Sequence, residues 1–371
     1  MKIGFDIEIP VINAKTNRLV LPYEEAGISR TNEKIKEDRK KRLFSSGEFD
    51  SIPAFIHTDG VMLEINPRPT TCRVHSHWTV LDCILGSKDI LEKNLGIPVK
   101  LLPLPLVKLT KEIMTGRARE ETLELGCQAE YNAYLPEGEE YKPRVNYKEY
   151  PYRGAGGHIH FEIPKFSKIH TGYNTLGNGT WKNVVFDHTL AHRMVKALDR
   201  TVGILSVALA TYPRLEAIRR ELYGHAGSYR MQPHGLEYRV LSNFYLIHPS
   251  IKALFHGLSR TVVSMYHYNN EPVRKLFDLP DATVRGIINT CNTVQARKIV
   301  RAYHSEFERL IGINMSVIDL MIKHKVTRVF PLEELSKAWN YGDVLRDHEL
   351  YGWENGANPF YREAIKTMEA K

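Results

Sequence analysis

Four short segments of this chain alternate strictly between apolar and chemically active side chains. In Gly156 to Pro164, GGHIHFEIP, His158, His160 and Glu162 fall on one side and Ile159, Phe161 and Ile163 on the other. A period of two is the signature of a half-buried β-strand. The N-terminal GFDIEIP repeats it, with Asp6 and Glu8 against Phe5, Ile7 and Ile9; DGVMLEINPRP sets Glu64 and Asn66 against Leu63 and Ile65; and HGLEYRVLSN sets Glu237, Arg239 and Leu241 against Tyr238, Val240 and Ser242. One such strand is as readily a solvated outer face. Four of them in a shared sheet, apolar sides laid on helices, leave a basin of Glu, His and Arg on the other face. Carboxylates hold divalent cations and Arg grips phosphate oxygens in pairs, so such a basin suits metal and phosphate together.

The remaining patterns supply the frame. Residues 54–66 read as strand with a turn at Asp59-Gly60. His75 to Ser87 has helical periodicity, and its two histidines, His75 and His77, point different ways on a helix, which makes them weak metal partners. The Pro-rich stretch 97–109 reads as extended, and Leu135 to Gly154 as a polar, Tyr-rich loop, equally a lid or a plain surface excursion. Residues 187–210 predict a long helix with Leu190, Met194, Leu198, Val202 and Leu205 as its buried stripe. From about Asp281 the pattern is helical. Arg297, Lys298 and Arg301 there read as helix-surface charge, with an anionic ligand as the other option.

Acid-bearing strands that recur without regular β-α alternation point away from a parallel sheet. The expected fold is therefore α+β: a curved, mainly antiparallel sheet with helices on its convex side. Residues 1–280 are expected to form one domain that carries the basin, and 281–371 a helical region packed on it.

Arg214, Arg219, Arg220, Arg230 and Arg239 crowd a segment punctuated by Gly224, Gly227 and Gly235. YGHAGSYRMQPHG is thus a turn-rich stretch that carries arginines into a strand, a candidate phosphate cradle, with exposed arginines as the plain alternative. On the Glu237 strand, Arg239 shares the Glu237 face, and a hairpin-like return brings Arg230 alongside.

Composition narrows the setting. The 371 residues are 43% apolar and 25% charged, as in a soluble globular protein of one large or two ordinary domains. The net charge of +8 favours polyanionic partners but is modest for this size, so nucleic acid, nucleotide phosphate and simple solubility all remain readings. Between Glu33 and Ser51, Lys and Arg interleave with Glu and Asp, which fits an exposed helix better than a nucleic-acid tail. Cys72, Cys83, Cys127 and Cys291 lack CxxC spacing and read as free thiols in a reducing cytosol. The first residues lack the apolar core of a signal peptide, and no window approaches the ~18 apolar residues of a membrane span. A soluble, cytoplasmic protein without a membrane partner is expected.

GGHIHFEI, DGVMLEINPRP, GCQAEYNAY and RRELYGHAGSYRMQPHGLEYRVLSNFYLIHP, in that family's motif order over roughly residues 1–250, resemble the bacteriophage phiEco32-like amidoligases, the carboxylate-amine ligase type 2 family. That family is regarded as glutamine-synthetase-like, and its wider superfamily lines an ATP and metal site with Gly-x-His-x-His and Glu-x-Arg strands. The resemblance implies an ATP-dependent ligase joining a carboxylate to an amine, located in the host cytoplasm if phage-encoded. It implies Glu8, Glu64, His158, His160 and Glu237 as ligands of Mg²⁺ or Mn²⁺, and catalytic roles for Glu64, Arg230 and Arg239. It also implies that His158, His160, Arg220, Arg230 and Arg239 contact ATP. Where family members often read GCDPDYNA this chain has GCQAEYNA, so Gln128 replaces an acid and Glu130 lies nearby.

The chemistry agrees with the inventory. A carboxylate becomes reactive toward an amine once the γ-phosphate of ATP converts it to an acyl phosphate, and that transfer needs metal and Arg to neutralise the phosphoryl oxygens. The amine must lose a proton, which one of the carboxylates can accept. The substrates implied are an amino acid, peptide or protein carboxylate and an amine; nucleic acid is not expected, and a homo-oligomer fits. Two rivals use the same residues: a metal-dependent nuclease or phosphodiesterase, and a non-catalytic phage protein that binds nucleotide or peptide.

Overall fold

A computed structural model of the chain describes residues 1–28, 55–123, 130–141, 146, 148–163, 167–173, 180–232, 234–247, 249–267 and 278–311. The charged stretch 33–51, Gln128 and the final residues 312–371 lie outside the described residues.

The alternating segments become neighbours in one sheet. Its strands are β1 (Ile3–Ile9), β2 (Phe55–Asp59), β3 (Met62–Asn66), β4 (Glu130–Asn132), β5 (Glu140–Tyr141), β6 (Gly157–Glu162), β7 (Ser228–Gln232) and β8 (Gly235–Tyr238). Their order is β2-β3-β1-β6-β8-β7-β4-β5, and every pairing is antiparallel. The expected α+β class, with a large antiparallel sheet, is what the chain adopts. The four acid-bearing segments supply the contiguous strands β3, β1, β6 and β8.

Alternation explains why this sheet needs a helical layer. Ile3, Phe5, Ile7, Ile9, Leu63, Ile65, Ile159, Phe161, Leu236 and Tyr238 are each at most 2% exposed. Helices cover them: Arg73–Leu95, Pro249–His267 and the run from His188 to Leu209. Phe5 meets Tyr245 at 6.0 Å and stacks on His256 at 6.1 Å between ring centroids. The predicted stripe of the His188 helix is buried at Met194, Leu198, Val202 and Leu205, and partly at Leu190. That helix is not uniform. A π turn at Asp199–Gly203 interrupts it, where the Tyr238 hydroxyl donates to buried Asp199 at 2.7 Å.

Two turns bring strands of the basin together. The β2–β3 hairpin closes through Gly60 at φ 54°. The β7–β8 hairpin ends at Gly235 with φ 149°, where a Cβ would lie 2.0 Å from the Phe161 carbonyl oxygen. Only glycine lets β8 press so closely on β6.

Helices Asp281–Asn289, Thr293–Ala302 and His304–Ile311 place Val284, Ile287, Ile288, Ala296, Val300 and Phe307 in the same apolar core. Arg297 donates to the Ala208 carbonyl at 3.0 Å, so its charge is tied to the neighbouring helix. Among the described residues Cys72, Cys83 and Cys291 are free thiols, and no helix is long and apolar enough to cross a membrane.

Candidate active site

Strand register decides which polar side chains meet. Asp6 pairs with His158 across β1 and β6, Glu8 with Glu64 across β1 and β3, and Glu237 of β8 with both His160 and Arg230. Directly opposed residues project to the same face of a sheet. The basin that alternation predicted is therefore formed, and it has two ends of different character.

At one end cations are interleaved with acids. Asp6 Oδ2 lies 2.6 Å from His160 Nε2. Glu237 accepts from Arg239 Nη1 at 2.5 Å and from Gln232 Nε2 at 3.1 Å, and His158 Nδ1 approaches it at 3.3 Å. Arg239 also donates through Nε to Glu130 at 2.9 Å, and Ser228 donates to the other Glu130 oxygen at 2.8 Å. Burial alone would raise the Glu237 carboxyl, but Arg239, followed by His160 and His158, holds it far below the ordinary carboxylate range. Asp6 is likewise lowered: burial opposes, and the charge and hydrogen bond of His160 prevail. His160 goes the other way, burial being outweighed by Asp6, and reaches about 9. Burial and then the Arg239 charge keep His158 well below its ordinary value, so it is neutral. Its Nε2 is buried with no hydrogen-bond partner among the described residues. A Cβ on Gly156 would fall 2.4 Å from that nitrogen, which requires glycine there.

At the other end carboxylates crowd with little positive charge between them. Glu8 accepts from the Gly156 N–H and the Tyr223 hydroxyl, both at 2.7 Å. Burial, then the charge of Asp59, raises Glu8 to about 7. Burial, then the charge of Glu64, raises Asp59 to about 6, with His57 opposing. His57 Nε2 lies 3.1 Å from Glu64. Burial would lower that imidazole, but Glu64 and then Asp59 lift it above its usual value. Asn66 joins the two ends, donating to Asp6 Oδ1 at 2.6 Å and to Glu64 Oε1 at 2.9 Å.

Of the residues the sequence pointed to, Glu8, Glu64, His158, His160, Glu237, Arg230 and Arg239 share this face. Arg220 does not join them. It is 2% exposed on the helix Pro213–Leu222, 3.5 Å from Glu216 one turn earlier and beside Cys291, so helical periodicity carries it into the packed layer. Its neighbour Arg219 is also structural, donating to the carbonyls of Val240 at 3.0 Å and Leu241 at 2.7 Å.

Sequence reasoning left Asp6, Asp59 and Tyr223 out of the site, and named Glu130 only as the acid near Gln128. For Asp6 the signal was present, since it alternates with Glu8. Asp59 was hidden in a turn signal and Tyr223 in the segment leading to the glycines, while the pairing of Glu130 with Arg239 depends on a three-residue strand.

Among the described residues, donor chemistry fits a divalent cation at one position. Asp6, His160 and Glu237 each offer a ligand atom, all within 4.8 Å of one another, a carboxylate-rich set with one imidazole. Oxygen donors with one imidazole suit Mn²⁺ and admit Mg²⁺.

No curated protein matches this chain. A family model does, that of the phage phiEco32-like COOH.NH2 ligases of type 2, over residues 183–313. The matched region holds Arg230, Glu237 and Arg239, while the strands of Glu8, Glu64 and His160 precede it. From 183 to 313 the chain is thus similar to the family its motifs resemble, which points to an enzyme of the carboxylate-amine ligase type.

Proposed function

We propose that this chain is an ATP-dependent ligase that joins a carboxylate to an amine through an acyl phosphate, acting on an amino acid, peptide or protein side chain. The observation that carries the reading is the clustering of Asp6, His160 and Glu237 within 4.8 Å on the sheet face that also bears Arg230. A divalent cation held by those three groups would screen the phosphate oxygens of ATP and draw them together.

The residues then divide the work. Arg230 is half-buried and pairs in register with Glu237, and it is the arginine we assign to the phosphoryl oxygens, which a guanidinium can grip in pairs. Arg239 is only 3% exposed, with Nε and Nη1 committed to Glu130 and Glu237. That supports Arg230 over Arg239 for direct contact, with Arg239 holding Glu237 ionised and in place. The substrate carboxylate attacks the γ-phosphorus and ADP leaves. The amine nitrogen then attacks the acyl carbon, inorganic phosphate leaves, and a carboxylate of the Glu8, Asp59 and Glu64 end takes the amine proton. Glu8 and Asp59, raised to about 7 and about 6, suit a base that must accept and release a proton near neutrality.

The test is a screen of amino acids and amines for stimulated ADP release with Mg²⁺ or Mn²⁺. Release that requires both a carboxylate and an amine supports the reading. Cleavage of DNA or RNA without ATP would replace it with a nuclease.

A further inference from the structure

His234 approaches the basin from the β7–β8 turn, outside the alternation of the strands. Its Nε2 lies 3.3 Å from Nδ1 of His160, with the rings tilted by 35° at 5.5 Å between centroids. The other nitrogen of His160 faces Asp6 at 2.6 Å. Backbone contacts fix this placement. The His234 carbonyl accepts from Ile163 N–H at 2.9 Å, and Gly235, the next residue, is pressed against the Phe161 carbonyl. The turn is thus pinned to the strand that carries His160.

The two nitrogens of an imidazole are not independent, because a hydrogen bond at one selects the proton at the other. We propose that His234 is a positioning residue for His160. It accepts the Nδ1–H of His160 at its own Nε2, and so fixes the ring form whose Nε2 lone pair is available to a divalent cation shared with Asp6 and Glu237. This rests on the metal reading given above. A cation at this position would be held by Nε2 of His160 together with Asp6 and Glu237, the Nε2 proton going to solvent, and the Nδ1–H of His160 would stay hydrogen-bonded to Nε2 of His234. Were His234 the donor instead, the only proton-free nitrogen of neutral His160 would be Nδ1, and Nε2 could not ligate. Acceptors behind a metal-bound histidine hold its orientation and raise its basicity, and losing one typically costs about 10–100-fold in metal affinity.

Calorimetric titration of the full chain with Mn²⁺ alone tests this, with Asp6→Asn as the control that locates the site. His234 is exposed in a turn, so its substitution leaves the core untouched. His234→Ala is expected to weaken Mn²⁺ binding about 10–100-fold. His234→Gln puts a carbonyl oxygen near the position of Nε2 and is expected to restore most of the affinity. Wild-type affinity in His234→Ala, or equal loss in the Gln variant, overturns the proposal while the metal reading stands. No Mn²⁺ binding by the wild type, or unchanged binding in Asp6→Asn, overturns the metal reading and the proposal with it.

Discussion

The two ends of the basin share a sheet face and an inventory of buried carboxylates, yet they carry opposite electrostatics. Around Glu237, Arg239 and the charged His160 keep the acids ionised. Around Glu8, burial and mutual repulsion push the acids toward neutrality, with His57 and the Tyr223 hydroxyl as modest compensation. The difference lies in which strands are adjacent. β6 and β8 bring His158, His160 and Arg239 to Glu237, whereas β1, β3 and β2 bring mostly acids to Glu8. Neighbouring charge, more than burial, decides which carboxylates can hold a cation and which can take a proton.

Removing the charge at the paired end should have the largest effect. Glu237→Gln keeps the shape but leaves Asp6 as the one anionic ligand beside His160. It is expected to cut metal-dependent ADP release by about 10²- to 10³-fold, the range for losing one preorganised electrostatic group. Circular dichroism should find the fold intact. Turnover near wild type would take Glu237 out of the site.

Arg239→Lys probes what keeps that end ionised. Lysine retains the charge but cannot span Glu130 and Glu237 with a planar fork. Both carboxylates are buried, so stability should fall by about 3 kcal/mol, as for a broken buried ion pair. Turnover should fall by a smaller factor than in Glu237→Gln. Denaturant unfolding and ADP release, measured on one preparation, separate the outcomes. A fall in turnover at unchanged stability would mean that Arg239 contacts phosphate itself.

The acid-rich end should reveal itself through pH. A carboxyl raised in the folded state keeps a proton that the unfolded chain has already lost. Between the ordinary carboxylate value and about 7, Glu8 therefore makes the native state less stable as pH rises. Asp59 acts in the same direction up to about 6. Glu8→Gln is expected to gain about 1–3 kcal/mol at pH 8 relative to wild type and nothing at pH 4, in chelator-treated protein. A Gln variant whose melting temperature tracks the wild type at both pH values would show that Glu8 is not raised.

How much of this was legible follows from the range of each signal. Period-two alternation is local, so it assigned Glu8, Glu64, His158, His160 and Glu237 to one face before any pairing was known. Register is not local. That Glu237 pairs in register with His160 while its carboxylate also meets His158, and that β4 reaches Ser228 to set Glu130 against Arg239, depends on partners up to about a hundred residues apart. Asp59 was read as turn because Asp-Gly is a strong turn signal. The same residue also ends β2, where the strand puts it among the acids. Arg220 was read as part of an arginine supply, although Glu216 four residues before it is the helical spacing of an ion pair.

Asn66 offers the finest test, because it is the contact that makes two ends one basin. Its amide donates to Asp6 on the paired side and to Glu64 on the acid side, at 2.6 and 2.9 Å. Asn66→Ala removes both hydrogen bonds without adding charge. Each bond to a carboxylate is worth about 1.5–3 kcal/mol at most, and the half-open setting lets water replace part of it. A stability loss of about 1 kcal/mol and less than ~10-fold in Mn²⁺ affinity are expected. The sharper readout is coupling. In wild type, Glu8→Gln should change Mn²⁺ affinity at the Asp6 group, because Asn66 transmits the position of Glu64 to Asp6. In the Asn66→Ala background that coupling should shrink, as a double-mutant cycle would measure. Equal coupling with and without Asn66 would mean that the ends communicate through their charges alone, and that the amide only fastens two strands together.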